Sequence, residues 1–235
     1  SRGLGDVYKR QQMRIRIKTT SNEKILPFDY QGKLIGVIHK WLGNNELHDK
    51  ISLYSFSWLL GGVMVDKKGY VFPNGAELLI SFHEDQHLKK IIDSILLDSE
   101  IFYGLCVKDI TIVGSPVFTE EPQRFFLASP IFIKRRIEEI MGYKYYFYDD
   151  QESNQLMTET LKHKMREAGL PEDDTLRVEF DISYSKKKKK MVTIHGIKSI
   201  ANMCPVIIHG TQTSKRFAWV VGLGNGTGSG YGALI

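Results

Sequence analysis

The apolar residues of this sequence follow two different periods, and the order in which those periods alternate limits the folds that the chain can adopt. Alternation at every second position indicates a strand, whereas recurrence at every third to fourth position indicates a helix. In the first half the patterns are extended at 13–18, helical at 34–42, extended at 51–60 and 76–82, helical at 88–96 and extended at 105–113. The predicted order is strand, helix, strand, strand, helix, strand.

The second half repeats this order. Its patterns predict a strand in the apolar run 125–133, a helix at 153–168, paired strands near 176–184 and 191–208, a short helix from Ser214 and a last strand at 231–235. A βαββαβ order is the ferredoxin-like unit, so we predict an α+β protein of two tandem ferredoxin-like domains, 13–124 and 125–235. Residues 1–12 show neither periodicity nor an apolar signal segment, and we interpret them as a non-native leader.

Composition excludes several classes of protein. Apolar residues make up 42% and charged residues 25% of the 235 positions, as in globular proteins and unlike disordered or collagen-like chains. The longest apolar stretch, 58–65, is far shorter than the roughly 20 residues of a membrane span, so we expect a soluble protein with no membrane partner. Two cysteines are too few for a disulfide framework, which favours the cytoplasm. The net charge of +5, carried by the second half, is compatible with a polyanionic partner.

The segment GLGNGTGSGYG near the end of the chain is a candidate phosphate-binding loop. Its glycines Gly222, Gly224, Gly230 and Gly232 follow a G-φ-G-x5-G-φ-G pattern, and they would let backbone N–H groups approach phosphate oxygens. A short basic helix with Lys215 and Arg216 precedes the segment. The alternative is a mobile glycine turn. A dinucleotide fingerprint is excluded, because that motif needs a strand before the glycines and a helix after them.

Four segments together resemble a known family. The MRIRI start, LPFDY with GVIHKWL, LHDK with ISLYSFS, and the terminal GLGNGTGSGYG are similar to the CRISPR repeat-cleaving endoribonucleases, the sixth Cas family of the RAMP superfamily. The resemblance spans 13–235. It implies metal-independent cleavage of precursor CRISPR RNA within each repeat, with no cofactor and no bound metal. Precursor CRISPR RNA is the implied partner, other Cas effector subunits are further candidates, and the implied state is a monomer or homodimer.

Two groups that titrate near neutrality suffice for this chemistry, since RNA cleaves itself when its 2′-hydroxyl is deprotonated and the 5′-oxygen leaving group is protonated. The resemblance points to His48, which lies where relatives commonly have a catalytic histidine, and to His39, which matches a tyrosine or histidine position. Relatives commonly have a lysine where Ser52 stands here, so we assign electrostatic help to Lys50. Lys40 is the alternative lysine for this role.

The first predicted helix gives His39 an unusual neighbourhood. Gly32, Gly36 and Gly43 share its sector of the helix, which would leave a bare groove beside the imidazole for an RNA backbone. The alternative is an exposed helix histidine with incidental glycines. Which histidine is the acid and which the base stays open.

Other motifs leave alternatives open. Five lysines between two extended patterns predict either an RNA-tracking hairpin tip or a solvated turn: Lys186, Lys187, Lys188, Lys189 and Lys190. The other candidate RNA-binding residues are the two cations of the short basic helix and the four glycines that follow it: Lys215, Arg216, Gly222, Gly224, Gly230 and Gly232. The sequence HEDQH at 83–87 matches the H-E-x-x-H pattern of zinc peptidases, but the strand-like residues before it make a single helix unfavourable. Tyr54, Phe56 and Trp58 alternate on one strand, where core packing is favoured over base stacking. A non-catalytic guide-RNA-binding RAMP subunit is the alternative function.

Overall fold

The computed structural model describes residues 13–22, 24–43, 51–138 and 141–235 of the chain. The interpreted leader at 1–12 lies outside the described residues. The predicted catalytic residues His48 and Lys50 lie outside them as well.

The first half contains the six predicted strands and helices in the predicted order, with short additional strands between them. In chain order its elements are β1 (Met13–Thr19), β2 (Leu26–Pro27), α1 (Gln31–Leu42), β3 (Tyr54–Phe56), β4 (Val63–Val65), β5 (Gly69–Val71), β6 (Glu77–Phe82), α2 (Asp85–Leu97), β7 (Glu100–Phe102) and β8 (Leu105–Gly114).

The main sheet of this half has the strand order β3-β6-β1-β8-β7, and its neighbouring strands are antiparallel. Strand β1 is central, with Ile15 opposite Ile80 on one side and Ile112 on the other. Apolar residues of α1 and α2 join those of the sheet in one buried cluster. This is the ferredoxin-like arrangement that the order of patterns predicts.

Two details of the first half differ from the prediction. The extended pattern at 51–60 forms only the three-residue strand β3, which pairs with β6. Strands β2, β5 and β4 form a separate three-stranded sheet between the predicted strands. The helix limits are as expected: α1 ends at Leu42, and Gly43 follows with a φ of +57°, a left-handed conformation that favours glycine.

The second half continues the numbering. Its elements are β9 (Gln123–Phe125), β10 (Lys134–Ile137), β11 (Gly142–Tyr145), α3 (Ser153–Glu167), β12 (Arg177–Phe180), β13 (Lys188–Ile194), β14 (Ile197–Met203), β15 (Val206–His209), α4 (Gln212–Val221) and a 3₁₀ turn (Thr227–Ser229).

Strands β12, β15 and β9 form the sheet of this half in that order, and the apolar faces of α3 and α4 share a buried cluster with it. The predicted pairing of 176–184 with 191–208 is wrong in part, because β13 and β14 pair with each other and only β15 pairs with β12. The predicted last strand is reduced to a single bridge between Leu127 and Leu234. The predicted boundary between 124 and 125 falls inside β9.

The two halves meet at a buried arginine. Arg14 alternates along β1 with apolar residues, as Arg16 and Lys18 do, yet only 4% of its surface is exposed. Its guanidinium donates to Ser81 Oγ at 2.8 Å and to the carbonyl oxygens of Leu234 and Trp219 at 2.8 and 2.6 Å, and it lies 3.9 Å above the Trp219 ring. Burial, with a smaller contribution from Arg16, lowers the pKa of Arg14 to about 9.

Strand β3 and the residues that follow it supply further contacts between the halves. Ser55 Oγ donates to the carbonyl oxygen of Val220 at 2.7 Å. Farther along, the backbone N–H of Trp58 donates to the carbonyl oxygen of Ala128 at 3.1 Å. The edge of the first sheet is therefore paired with the second half, which fixes how the halves are oriented.

We expect Arg14→Lys to lower the free energy of unfolding by about 2 kcal/mol, because a lysine ammonium lacks the planar fork that serves two carbonyl oxygens and stacks on an indole. Arg16→Lys is the matched control, since Arg16 is exposed and forms an ion pair of 3.3 Å with Glu77; it should change the value by less than about 0.5 kcal/mol. Urea unfolding measures both. Equal losses in the two variants would contradict this account of the interface.

Candidate nucleic-acid interface

His39 lies on the last turn of α1 and is half-buried. Its carbonyl oxygen accepts a hydrogen bond of 2.9 Å from the N–H of Gly43, where the helix ends. Of the three predicted catalytic residues, this is the one that the structure describes.

The glycines beside His39 do not form the bare groove that the sequence predicts. A side chain at Gly32 would contact the imidazole of His195, so this glycine lets the turn between β13 and β14 pack on α1. Gly43 adopts the left-handed backbone conformation with which α1 ends. Gly36 alone of the three faces open space.

Lys40, the alternative to Lys50 as the assisting lysine, contacts residues that follow α2. Its Nζ lies 2.9 Å from Asp98 Oδ2 and donates to the carbonyl oxygen of Glu100 at 2.9 Å. The Asp98 pKa is lowered by this hydrogen bond. Lys40 therefore has a structural partner just beyond α2.

The glycine-rich segment Gly222–Gly232 packs directly on β3 of the first half. Tyr54 Oη donates to the carbonyl oxygen of Gly228 at 3.3 Å, and Trp58 Nε1 donates to that of Gly230 at 2.9 Å. Side chains at Gly228 and Gly230 would overlap with the rings of Tyr54 and Phe56. The glycines are thus required for the close approach of the two halves.

The four glycines predicted to approach phosphate are buried. Three of them donate their N–H groups to carbonyl oxygens of the protein: Gly222 to Ala218, Gly230 to Thr227 and Gly232 to Pro130. A side chain at Gly224 would overlap with the carbonyl oxygen of Phe132. Internal packing accounts for these four positions, whereas Gly226, in the middle of the segment, is exposed.

The two basic residues of α4 have structural partners. Lys215 is fully buried, and its Nζ donates to the carbonyl oxygens of Thr119 and Glu121 at 2.7 and 2.8 Å. Its prediction as an RNA-binding residue is wrong, because the ammonium is enclosed. Arg216 is half-buried and donates from Nε to Ser115 Oγ at 3.0 Å.

The lysine run does not form a hairpin tip. Lys188–Lys190 are the first three residues of β13 and pair with the end of β14, and the hairpin turns at His195 and Gly196. Lys186 and Lys188 are exposed, and Lys187 is half-buried. The run therefore follows the base of the hairpin.

The last two lysines of the run contact aromatic and acidic side chains. Lys189 Nζ lies 2.9 Å from Asp149 Oδ2 and 4.4 Å from the centroid of the Phe147 ring. Lys190 Nζ lies 4.6 Å from the centroid of Trp58, and burial lowers its pKa. Trp58 is half-buried, whereas Tyr54 and Phe56 belong to the core, as the alternation predicts.

Sequence reasoning missed a second basic and aromatic surface on the hairpin of β10 and β11. The register places Lys134 opposite Tyr145 and Arg136 opposite Tyr143, so these four side chains share one face. Tyr143 and Tyr145 are 54% and 40% exposed. The alternation of basic and aromatic residues in KRR and YKY was the available signal.

A cleft of about 680 Å³ lies between α3 and the glycine-rich segment. It is lined by Ile51, Ser52, Arg135, Glu159, Thr160, His163, Lys164, Arg166 and 224–227. Lys164 is 3% exposed, and its Nζ donates to Thr227 Oγ1 at 2.9 Å and to the carbonyl oxygen of Val221 at 3.3 Å. Burial lowers the Lys164 pKa from 10.5 to about 7.

The HEDQH sequence is not a single helical face. Strand β6 ends at Phe82 and α2 begins at Asp85, so His83 precedes the helix that carries His87. The His83 ring packs against Phe217 at 5.3 Å between centroids. Within the described ranges, no group of three or more His, Cys, Asp or Glu side chains is arranged to hold a metal ion.

The family model for the C-terminal region of CRISPR-associated protein Cas6 matches residues 113–234, which is more than half of the chain. The chain belongs to the Cas6 family. A comparison with curated proteins gave no match.

Solved structures share the fold of this Cas6 chain. A CRISPR-associated protein Cas6 is 20% identical, with a TM-score of 0.79, over 95% of this chain and 98% of that one. The product of a Cas6-related gene from Pyrococcus furiosus is 21% identical, with a TM-score of 0.82 and the same shares of the two chains. A RAMP protein described as binding different RNA substrates is 20% identical, with a TM-score of 0.82, over 95% of this chain and 99% of that one. The shared fold is the tandem ferredoxin-like α+β architecture.

Among the described parts of this Cas6 chain, no helix combines the length and the apolar character that crossing a bilayer requires.

We expect Gly232→Ala to destabilise this Cas6 chain by more than about 2 kcal/mol, because Gly232 has a φ of +67° and a side chain there would overlap with the Leu223 carbonyl oxygen. Gly36→Ala is the control. It lies inside α1 facing open space, and should raise the free energy of unfolding by about 0.5–1 kcal/mol. Thermal unfolding compares the variants. Similar effects at both positions would contradict the packing role of the segment.

We expect the stability cost of Lys164 to depend on pH. Between about pH 7 and 10.5 the unfolded chain binds the Lys164 proton and the folded protein has released it, so this residue makes stability rise with pH across that window. Below about pH 7 both states carry the charge. Lys164→Met should therefore have a pH profile of unfolding free energy flatter by about 1 kcal/mol per pH unit.

Urea unfolding at several pH values between about 7 and 9 measures this slope. Lys162→Met, a change on the same helix, controls for the loss of a lysine. Parallel profiles for the wild type and Lys164→Met would show that the lowered pKa does not exist.

Proposed function

We propose that this chain is an endoribonuclease that cleaves precursor CRISPR RNA within its repeats to make guide RNAs. The reaction is a metal-independent general acid–base cleavage. His39 and His48 are the acid–base pair, and Lys50 stabilises negative charge on the phosphate.

The position of His39 carries the proposal. It lies half-buried on the last turn of α1, four residues before the glycine that ends the helix. The chain from Gly43 to Ile51 includes His48 and Lys50, and Ile51 lines the basic cleft beside Gly226. Both described ends of this segment thus support a site between α1 and the cleft.

The chemistry balances without a cofactor. One histidine accepts the proton of the 2′-hydroxyl, the 2′-oxygen bonds to the adjacent phosphorus, and the bond to the 5′-oxygen breaks while the second histidine donates a proton to it. The products are a 2′,3′-cyclic phosphate and a 5′-hydroxyl. A lysine ammonium near the phosphate stabilises the added charge of the transition state.

Two surfaces outside the proposed catalytic residues offer contacts for RNA. The exposed Lys186 and Lys188 of the lysine run contribute charge for phosphates, with Arg216 as a further cation. The exposed Tyr143 and Tyr145 offer rings for base stacking. Two similar structures, 12% and 15% identical, are described as Cas6 product complexes, which supports RNA as the ligand.

A second candidate function is guide-RNA binding without cleavage. The similar RAMP protein described as binding different RNA substrates favours it. The two functions differ in one measurable respect, because only an endoribonuclease shortens the RNA.

We expect His39→Ala and His48→Ala each to slow single-turnover cleavage of a repeat RNA by about 10²- to 10⁴-fold, the contribution of one positioned acid or base. His209→Ala is the matched control, a half-buried histidine on β15 that lies near Glu179, and it should cleave at the wild-type rate. Wild-type rates in both test variants would refute the catalytic assignment.

Two additions to the same assay separate the mechanisms. A 2′-deoxy nucleotide at the scissile position should abolish cleavage, because the nucleophile is then missing. EDTA should leave the rate unchanged. RNA that binds but stays intact with the wild type would favour the non-cleaving function.

A further inference from the structure

The cleft between α3 and the glycine-rich segment concentrates positive charge. Arg135, Lys164 and Arg166 line it, as does His163, while Glu159 is the one carboxylate among the described lining residues. His163 Nδ1 lies 3.9 Å from Oε1 of Glu167, a residue that does not line the cleft. The lining therefore has an excess of cations over carboxylates.

Two of these cations hydrogen-bond to neutral groups. Arg135 donates to the carbonyl oxygen of Leu156 and to Thr160 Oγ1, each at 2.8 Å. Lys164 donates to Thr227 Oγ1 and to a backbone carbonyl. Neutral acceptors satisfy donors but leave the charge uncompensated, and a buried charge without a counter-ion attracts an anion strongly.

We propose that this cleft binds a phosphodiester of the RNA backbone, with Lys164 as the buried cation beneath it and Arg166 as the exposed cation at its rim. The assignment rests on the proposed function for the identity of the anion. It adds a binding site on α3 to the basic surfaces already described.

The connection to the proposed catalytic segment favours RNA as the occupant. Thr227 accepts from Lys164 and donates from Oγ1 to the carbonyl oxygen of Ser52 at 3.4 Å. Ser52 follows Ile51, and both line the cleft. The cleft is therefore lined by residues that closely follow the proposed catalytic Lys50 in the sequence.

The glycine-rich segment leaves room for such a ligand. Gly226 is exposed, whereas Gly222, Gly224, Gly230 and Gly232 are enclosed. An anion beside Lys164 would also stabilise the charged form of its amine, which burial disfavours, so protonation and binding reinforce each other.

Binding is best tested with a repeat RNA that is 2′-O-methylated throughout, because it lacks the attacking hydroxyl and stays intact. Fluorescence anisotropy gives its dissociation constant as a function of salt. We expect Lys164→Met and Arg166→Gln each to weaken binding about tenfold. Each should also reduce the magnitude of the log–log salt slope by about 0.7, the value for one phosphate contact on a single strand.

Lys162→Met removes the same charge from the same helix outside the cleft and is the matched control. Urea unfolding of all three variants verifies that they are folded, and Arg166→Gln, at an exposed position, provides the test even if the buried substitution perturbs α3. Affinities and salt slopes equal to those of Lys162→Met would overturn the proposal.

The binding and cleavage assays together distinguish a failure of the cleft proposal from a failure of the proposed function. Wild-type cleavage of unmodified RNA, together with unchanged binding by the cleft variants, would overturn the cleft and leave the endoribonuclease in place. Weakened binding by the cleft variants with a wild type that does not cleave would support the cleft and favour a non-cleaving RNA-binding protein.

Discussion

The guanidinium of Arg14 is the contact on which the arrangement of the two halves depends. A buried cation is costly unless its donors are satisfied, and the planar fork of arginine can reach two carbonyl oxygens while its face stacks on an indole. Both carbonyls, of Trp219 and Leu234, belong to the second half, whereas Arg14 and Ser81 belong to the first. The interaction therefore fixes relative orientation, and through it the distance between β3 and the glycine-rich segment.

Glycine is needed in that segment because neighbouring backbone atoms and aromatic rings leave no room for a side chain. The aromatic rings of β3 fill the space where side chains would otherwise lie, and the carbonyl oxygens of Gly228 and Gly230 accept hydrogen bonds from Tyr54 and Trp58. A motif typical of phosphate binding thus has a mainly structural origin here. Its functional consequence is indirect, since the rigid segment carries Thr227 and the exposed Gly226 to the edge of the basic cleft.

The features that sequence predicted well are those set by local pattern. The order of strands and helices in the first half and the end of α1 at Gly43 follow from apolar periodicity and backbone conformation. Features that depend on distant partners were not predictable. Arg14 continues the basic face of β1 in the sequence, and only the second half makes it a buried residue. The lysine run predicts a hairpin tip because periodicity gives no strand register, whereas the turn of this hairpin lies at His195 and Gly196.

Lys164 shows where a closer reading of periodicity could have found the candidate site. Successive helical residues differ by about 100°, so Lys164 shares a face with Leu161 and Met157, both of which are buried, whereas Lys162 points away from them. A lysine on the apolar face of an amphipathic helix opposes folding, because its charge loses water that neutral acceptors replace only in part. Local rules are most often broken where a function offsets the cost in stability. An anion in the adjoining cleft would supply that compensation by favouring the protonated amine, and it would explain why a lysine occupies this buried position.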